Sequence, residues 1–257
     1  MVKGLYTTYT GLVNQQNRLD VVTNNLANAT TTGFKKEGAT SQSFDSVMAI
    51  KIKDASYGYI NQNIGDLSLG VKVGETYRDY SQGSVKATEN TYDFALTNEG
   101  FFSISYTNKA DEESTLYSRD GSFELTEDGY LVTKDGDYVL GENGPIQLPT
   151  NADKISVLET GEIYADDVYV DKFAIVDFED YNYLEQFGEN LYKAVDGATE
   201  TTADNSRVYQ GYLEMSNVNV VSEMVQMITI SREFESNQKV MNTIDDTLAK
   251  AVTLGEM

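Results

Sequence analysis

Apolar residues recur at intervals of seven at both ends of this chain, and at every second position in parts of its middle. Toward the C-terminus, Val220, Met227, Phe234, Met241 and Leu248 form one row, with Ile230, Ile244 and Ala251 three residues after members of it. The positions between are mostly Ser, Glu, Gln, Asn, Lys and Asp. This 3-4 spacing puts a narrow apolar seam on one side of an α-helix, the pattern of a helix that packs lengthwise on other helices. Near the N-terminus, Leu5, Leu12, Leu19 and Leu26 repeat at seven, with Tyr9 and Val22 between them. The spacing predicts two matched helices at the chain ends. Asn217 or Asn219 can cap the second, since a short polar side chain satisfies the free amides of a first turn. The first should stop near Asn28, because Thr30, Thr31, Thr32 and Gly33 continue a helix poorly. Periodicity does not say whose helix fills each seam: packing within one chain and packing between chains both satisfy it.

The alternating pattern lies between the helices. Met48, Ile50 and Ile52 alternate with polar or small residues, as do Leu67, Leu69, Val71 and Val73, and each set predicts a short strand. Tyr57 to Asp66 reads as loop, and residues 29–80 as an extended connecting segment. From residue 81 to 215 the pattern is β. Asp120-Gly121, Asp128-Gly129, Asp135-Gly136 and Asn143-Gly144 are hairpin-turn signals, because these residues tolerate the positive φ such turns need. Short runs at 122–125, 130–132, 154–157, 168–170 and 173–178 read as strands, with no helical pattern separating them. The expected class is therefore α+β: paired, coiled-coil-like terminal helices flanking a mostly antiparallel β domain. Residues 1–28 with 216–257 form the helical part, and 81–215 the β part.

Composition then removes function classes. The 257 residues include no histidine and no cysteine, which excludes disulfides, thiol chemistry and every Ser-His or Cys-His nucleophile. Nearly all of the net charge of −22 falls on the middle, and it opposes nucleic-acid or anionic-membrane partners. No segment reaches the ~18–20 continuous apolar residues of a membrane span. After Lys3 the chain reads Gly-Leu-Tyr-Thr-Thr-Tyr-Thr-Gly, without the apolar stretch of a cleaved signal peptide. None of the Asp-Gly pairs follows the EF-hand order, so solvated turns explain them better than calcium. The 41 acidic residues single out no catalytic pair. No catalytic residue, metal ligand or cofactor site is expected.

Four separate stretches are more specific. The first is Leu26-Ala27-Asn28-Ala29-Thr30-Thr31-Thr32-Gly33-Phe34-Lys35. The second is Ser81-Gln82-Gly83, followed by Asp93-Phe94-Ala95-Leu96 and Gly100-Phe101-Phe102. The third is Tyr117-Ser118-Arg119-Asp120-Gly121-Ser122-Phe123, with Gly188-Glu189-Asn190-Leu191-Tyr192 later. The last runs from Gln210-Gly211-Tyr212-Leu213-Glu214 through Ser216-Asn217-Val218-Asn219-Val220 to Arg232-Glu233-Phe234-Glu235-Ser236-Asn237. In this order, and across the whole chain, they resemble the bacterial flagellar rod and hook protein family. One departure is Asn98, where the family commonly has glycine; Asn is the next most tolerant residue for a left-handed backbone.

The resemblance implies a structural subunit of the flagellar basal body that polymerises into a hollow axial tube, its terminal helices lining the core. It would have no catalytic role, and it would associate with copies of itself and with other rod and hook subunits. It assigns subunit packing to Leu5, Tyr9, Leu12, Leu19, Val22, Leu26, Val220, Met227, Ile230, Phe234, Met241, Ile244 and Leu248, and it implies helices that are poorly ordered in a free monomer. It further implies export through the flagellar type III apparatus without signal cleavage, to a place outside the inner membrane. Phe44, with Met48 four residues later, fits the family's export-gate spacing. The same residues also suit a Phe and a Met anchoring a short strand. The alternative of a different class is an acidic secreted β-domain protein that binds a glycan or calcium, with its helices as an internal clasp.

Overall fold

The computed structural model describes residues 2–51, 62–107, 113–152, 154–188, 190–203 and 205–255. The chain folds as two compact units: Met1–Ala27, Glu37–Arg78 and Asn219–Met257 form the first, Asn28–Lys36 and Asp79–Val218 the second.

In the first unit, α1 (Val2–Ala27) and α2 (Val220–Gly255) run antiparallel. Their register is constant along the pair: Gly4 meets Ile244, Gly11 meets Asn237, Gln15 meets Glu233 and Asn25 meets Glu223. The cap on α2 is Asn219, whose side-chain oxygen accepts from the Ser222 amide at 3.1 Å. The two seams therefore cover one another within a single chain. No described helix is long and apolar enough to cross a membrane.

The segment between the helices is not simply a connector. β1 (Glu37–Ser43) pairs antiparallel with β4 (Val71–Arg78), and β2 (Val47–Lys51) with β3 (Gln62–Leu67). The Phe44 amide donates to the Gly70 carbonyl at 3.0 Å and joins the two pairs into one ribbon. The loop expected at 57–66 is thus a strand from Gln62 onward, and residues 57–61 lie outside the described residues, as does Ile52. The single strand expected over Leu67–Val73 is interrupted at Ser68–Gly70. α1 holds this ribbon by its polar side chains. Asn25 donates to the Glu37 carbonyl at 2.8 Å and accepts from the Glu37 amide at 3.0 Å, and Asn14 donates to Ser41 Oγ at 3.1 Å. Both asparagines are buried, so their amides need these partners.

The second unit is antiparallel β throughout its described strands. Its largest sheet runs through Leu184–Phe187, Leu191–Ala194, Glu113–Ser118, Phe101–Thr107, Tyr138–Gly141, Leu131–Thr133 and Phe123–Leu125. Ile155–Val157, Glu162–Ala165 and Val168–Lys172 form a separate three-stranded sheet. Neighbouring residues of a strand point to opposite faces, and the pair Phe101-Phe102 uses that fact to build two cores. Phe102 packs edge-on against Phe123 and Phe173, with ring centroids 5.3 and 5.5 Å away, in a cluster with Phe94, Leu131 and Ile146. Phe101 turns the other way onto Tyr192, 5.6 Å off, beside Tyr117, Phe178 and Leu184.

Three of the four expected turns have glycine in the left-handed region: Gly129, Gly136 and Gly144. Gly121 differs. It joins strands that do not pair with each other, and a Cβ there would lie 1.8 Å from the Phe94 carbonyl oxygen. Close backbone approach, not turn geometry, requires glycine at that position. Asn98 does adopt a left-handed φ of 69°.

Asn217, the other expected cap, has a different task. Its side-chain oxygen accepts from the Lys36 amide at 2.7 Å, and its amide group donates to the Asp79 and Ser81 carbonyls at 2.7 and 3.2 Å. The Asp79 amide donates to the Lys36 carbonyl beside it.

Candidate assembly site

The structure brings most of the expected seam residues together within one chain. Val22 and Ile230 are buried; Leu5, Leu12, Leu19, Leu26, Val220, Met227, Phe234, Met241, Ile244 and Leu248 are half-buried. Tyr9 is not covered, and keeps 56% of its surface exposed. Small and polar residues complete the seam. A Cβ on Gly4 would sit 3.7 Å from Ile244 Cδ1, and one on Gly11 3.3 Å from the Asn237 side chain. Gln15 donates to Glu233 at 2.7 Å and Asn25 to Glu223 at 3.4 Å, the latter fully buried. These small and polar positions carry no apolar signal, so periodicity does not reveal them.

Pairing leaves apolar side chains uncovered on both helices. Tyr6 and Val13 on α1, and Val221, Met224, Val225 and Ile228 on α2, are all more than two-fifths exposed. Their own 3-4 spacing could have shown them in the sequence as a second row beside the first.

Phe44 lies at the end of the β1–β4 pairing, 37% exposed, and Met48 occupies β2 opposite Asp66.

In the second unit, the residues of the four signature stretches converge on one buried ion cluster. Lys35, Arg119 and Glu214 are each no more than 2% exposed. Lys35 Nζ donates to Glu214 Oε1 at 2.8 Å and to the Ser81 carbonyl at 2.9 Å. The Gly83 amide donates to the same carboxylate oxygen at 2.8 Å, while Arg119 Nη1 approaches the other at 3.5 Å. Arg119 also donates to the Asn98 carbonyl at 2.8 Å, and its guanidinium lies 5.1 Å from the Phe101 ring centroid. The left-handed backbone at Asn98 thus sits beside the cation that reads its carbonyl. Burial pushes the Lys35 ammonium pKa below its ordinary value, against the pull of the Glu214 charge. Gly33 closes the arrangement: its amide donates to the Glu214 carbonyl, and a Cβ would lie 2.4 Å from the Asp120 amide nitrogen. The cluster is closed to solvent, and its two cations share one carboxylate, which makes it a structural lock.

These features define a structural protein: paired terminal helices with apolar faces to spare, and a β domain locked where its distant segments meet. Residues 5–35 match the flagella basal body rod protein family, 95–165 the flagellar hook protein FlgE/F/G D1 domain, and 209–254 the flagellar basal body rod FlgEFG protein C-terminal family. Among similar proteins, the flagellar basal-body rod protein FlgG of Bacillus subtilis is 32% identical, covering 99% of each chain. FlgG of Buchnera aphidicola from Acyrthosiphon pisum is 33% identical over 97% of this chain and 98% of its own. The flagellar hook-basal body complex protein FlhO of Bacillus subtilis is 30% identical over 98% and 97%. The chain belongs to the flagellar basal-body rod protein family, and is a structural flagellar rod subunit. The glycan- or calcium-binding alternative gains no support from these relatives.

Proposed function

We propose that this rod subunit polymerises with copies of itself and with other rod and hook subunits through its terminal helices, forming a helical tube. The observation that supports this reading is the apolar surface that remains on both helices after they have covered one another's seams. Isolated exposed apolar residues need no explanation, but rows of them along a helix mark a contact surface. The seam residues Leu5, Leu12, Leu19, Val22, Leu26, Val220, Met227, Ile230, Phe234, Met241, Ile244 and Leu248 then act first by fixing the helix pair, and Tyr9 by contacting a neighbour. No catalysis belongs to this function.

The subunit reaches its place outside the inner membrane through the flagellar type III apparatus, without signal cleavage. Phe44 and Met48 are the export-gate pair in this reading, and the partial exposure of Phe44 favours it. The test is to isolate basal bodies from cells making a tagged chain and to quantify it there. Copies recovered in stoichiometric amount in the axial structure support the proposal. A chain found only in the periplasm or the medium refutes it.

A further inference from the structure

We infer that a cavity in the β domain binds an ammonium group carried on an apolar stem, the chemistry of a lysine side chain or of a free aliphatic amine. The cavity measures about 650 Å³, within the ~300–1,000 Å³ of sites that take small organic ligands. The turns that follow Glu113–Ser118, Leu131–Thr133 and Leu184–Phe187 meet around it, with residues 30–32 beside them, all in the second unit.

Its apolar lining suits a stem. Ile104 and Leu191 line it, and Tyr106 packs edge-on against Phe187 with ring centroids 5.1 Å apart. Phe187 keeps 40% of its surface exposed, so a ligand covering it removes apolar ring from water. Aromatic faces also attract ammonium groups.

Its polar lining calls for a cation. Asp135 and Asp137 stand two residues apart on one turn, and among the described residues neither carboxylate accepts a hydrogen bond or pairs with a cation. Lys134, next to Asp135 in the chain, forms no ion pair with either. Asp120, by contrast, is engaged by the Ser122 amide and hydroxyl at 3.0 and 2.8 Å. Burial, with the like charge of Asp135, pushes the Asp137 carboxyl pKa above its ordinary value. Neighbouring like charges without a partner weaken a fold, and proteins keep such arrangements where a site requires them.

The same residues narrow the ligand class. Anions are repelled by the carboxylates. Among the described residues no group of three or more acidic side chains is placed to hold a metal ion, so the cation is organic. A tetrahedral ammonium, with three donors, bridges two carboxylates, whereas the planar fork of a guanidinium matches one.

The test uses the full chain and ligand-observed NMR, and it does not depend on assembly. The probes are Nα-acetyl-lysine methylamide, its norleucine counterpart, which lacks the ammonium, and 1,5-diaminopentane. At least one amine should saturate the site, and the norleucine probe should bind about tenfold more weakly. An Asp135→Asn, Asp137→Asn variant should lose about the same factor, with near-UV circular dichroism unchanged and a urea midpoint no lower than native, since a repulsion has been removed. Phe187→Ser should weaken the lysine and norleucine probes alike. Tighter binding of the lysine probe than of the diamine assigns the site to a partner protein's lysine, and the reverse order to a free amine. Saturation by neither amine, equal binding of the norleucine probe, or native affinity in the Asn variant overturns the inference.

Discussion

Glu214→Gln removes one negative charge from the buried cluster and almost nothing else. The amide keeps the shape of the carboxylate and can still accept from the Gly83 amide, which lies 2.8 Å from Oε1. It no longer compensates Lys35 at 2.8 Å or Arg119 at 3.5 Å, both sealed from water. Breaking a buried ion pair by removing one partner costs about 3–5 kcal/mol, because the other charge stays buried without compensation. Domain stabilities are only about 5–15 kcal/mol, so this change takes a large share of what the β domain has. With about 2–4 °C lost per kcal/mol in a domain of this size, its Tm should fall by roughly 6–20 °C. The chain contains no tryptophan, so tyrosine near-UV circular dichroism in urea is the appropriate probe. The midpoint should drop with the slope unchanged, since the surface exposed on unfolding is the same. Adding Lys35→Met to the variant should recover part of the loss: Arg119 keeps its bond to the Asn98 carbonyl and its place over Phe101. A loss below about 1 kcal/mol, the scale of an exposed salt bridge, would refute the idea that the charges lock the domain.

Other expectations are equally direct. Ile230→Ala, at a residue 2% exposed, should cost about 2–5 kcal/mol and loosen the helix pair, seen as faster amide exchange along α1 and α2. Asn25→Ala removes both bonds to the Glu37 backbone and should cost about 1–3 kcal/mol, with the Glu37 amide losing protection. The Asp79 carboxyl pKa is held below its ordinary value of 3.8 by bonds from the Ser81 amide and hydroxyl. Its contribution to stability is therefore complete above that value and lost as pH falls through the lowered one. Acid titration of an Asp79→Asn variant should show a shallower loss in that range than the native chain. Phe44→Ala should abolish secretion while leaving circular dichroism unchanged; normal secretion would discard the export role.

The terminal helices were legible because a row of leucines at intervals of seven repeats one instruction many times. The Asn98 backbone was legible for a related reason, since few residues tolerate its φ. The ion cluster was not. Lys35 and Glu214 are 179 positions apart, Arg119 and Glu214 95, and one lysine, one arginine and one glutamate make no period. Gly121 looks like a turn in the sequence because an Asp-Gly pair is the same whether it needs a positive φ or room for the Phe94 carbonyl. Gln62–Leu67 resembles loop in the sequence because most of its residues, Gln-Asn-Ile-Gly-Asp-Leu, are poor strand formers; pairing with β2 supplies what local preference does not.

Asn217 ties down the three places where the polypeptide leaves the β domain, at Lys36, at Asp79 and just beyond itself. Three separate tethers would let a twisting force peel the domain open one strand at a time. Gathered on a single side chain, the three exits can open only together, so the rim of the domain comes undone at one residue or not at all.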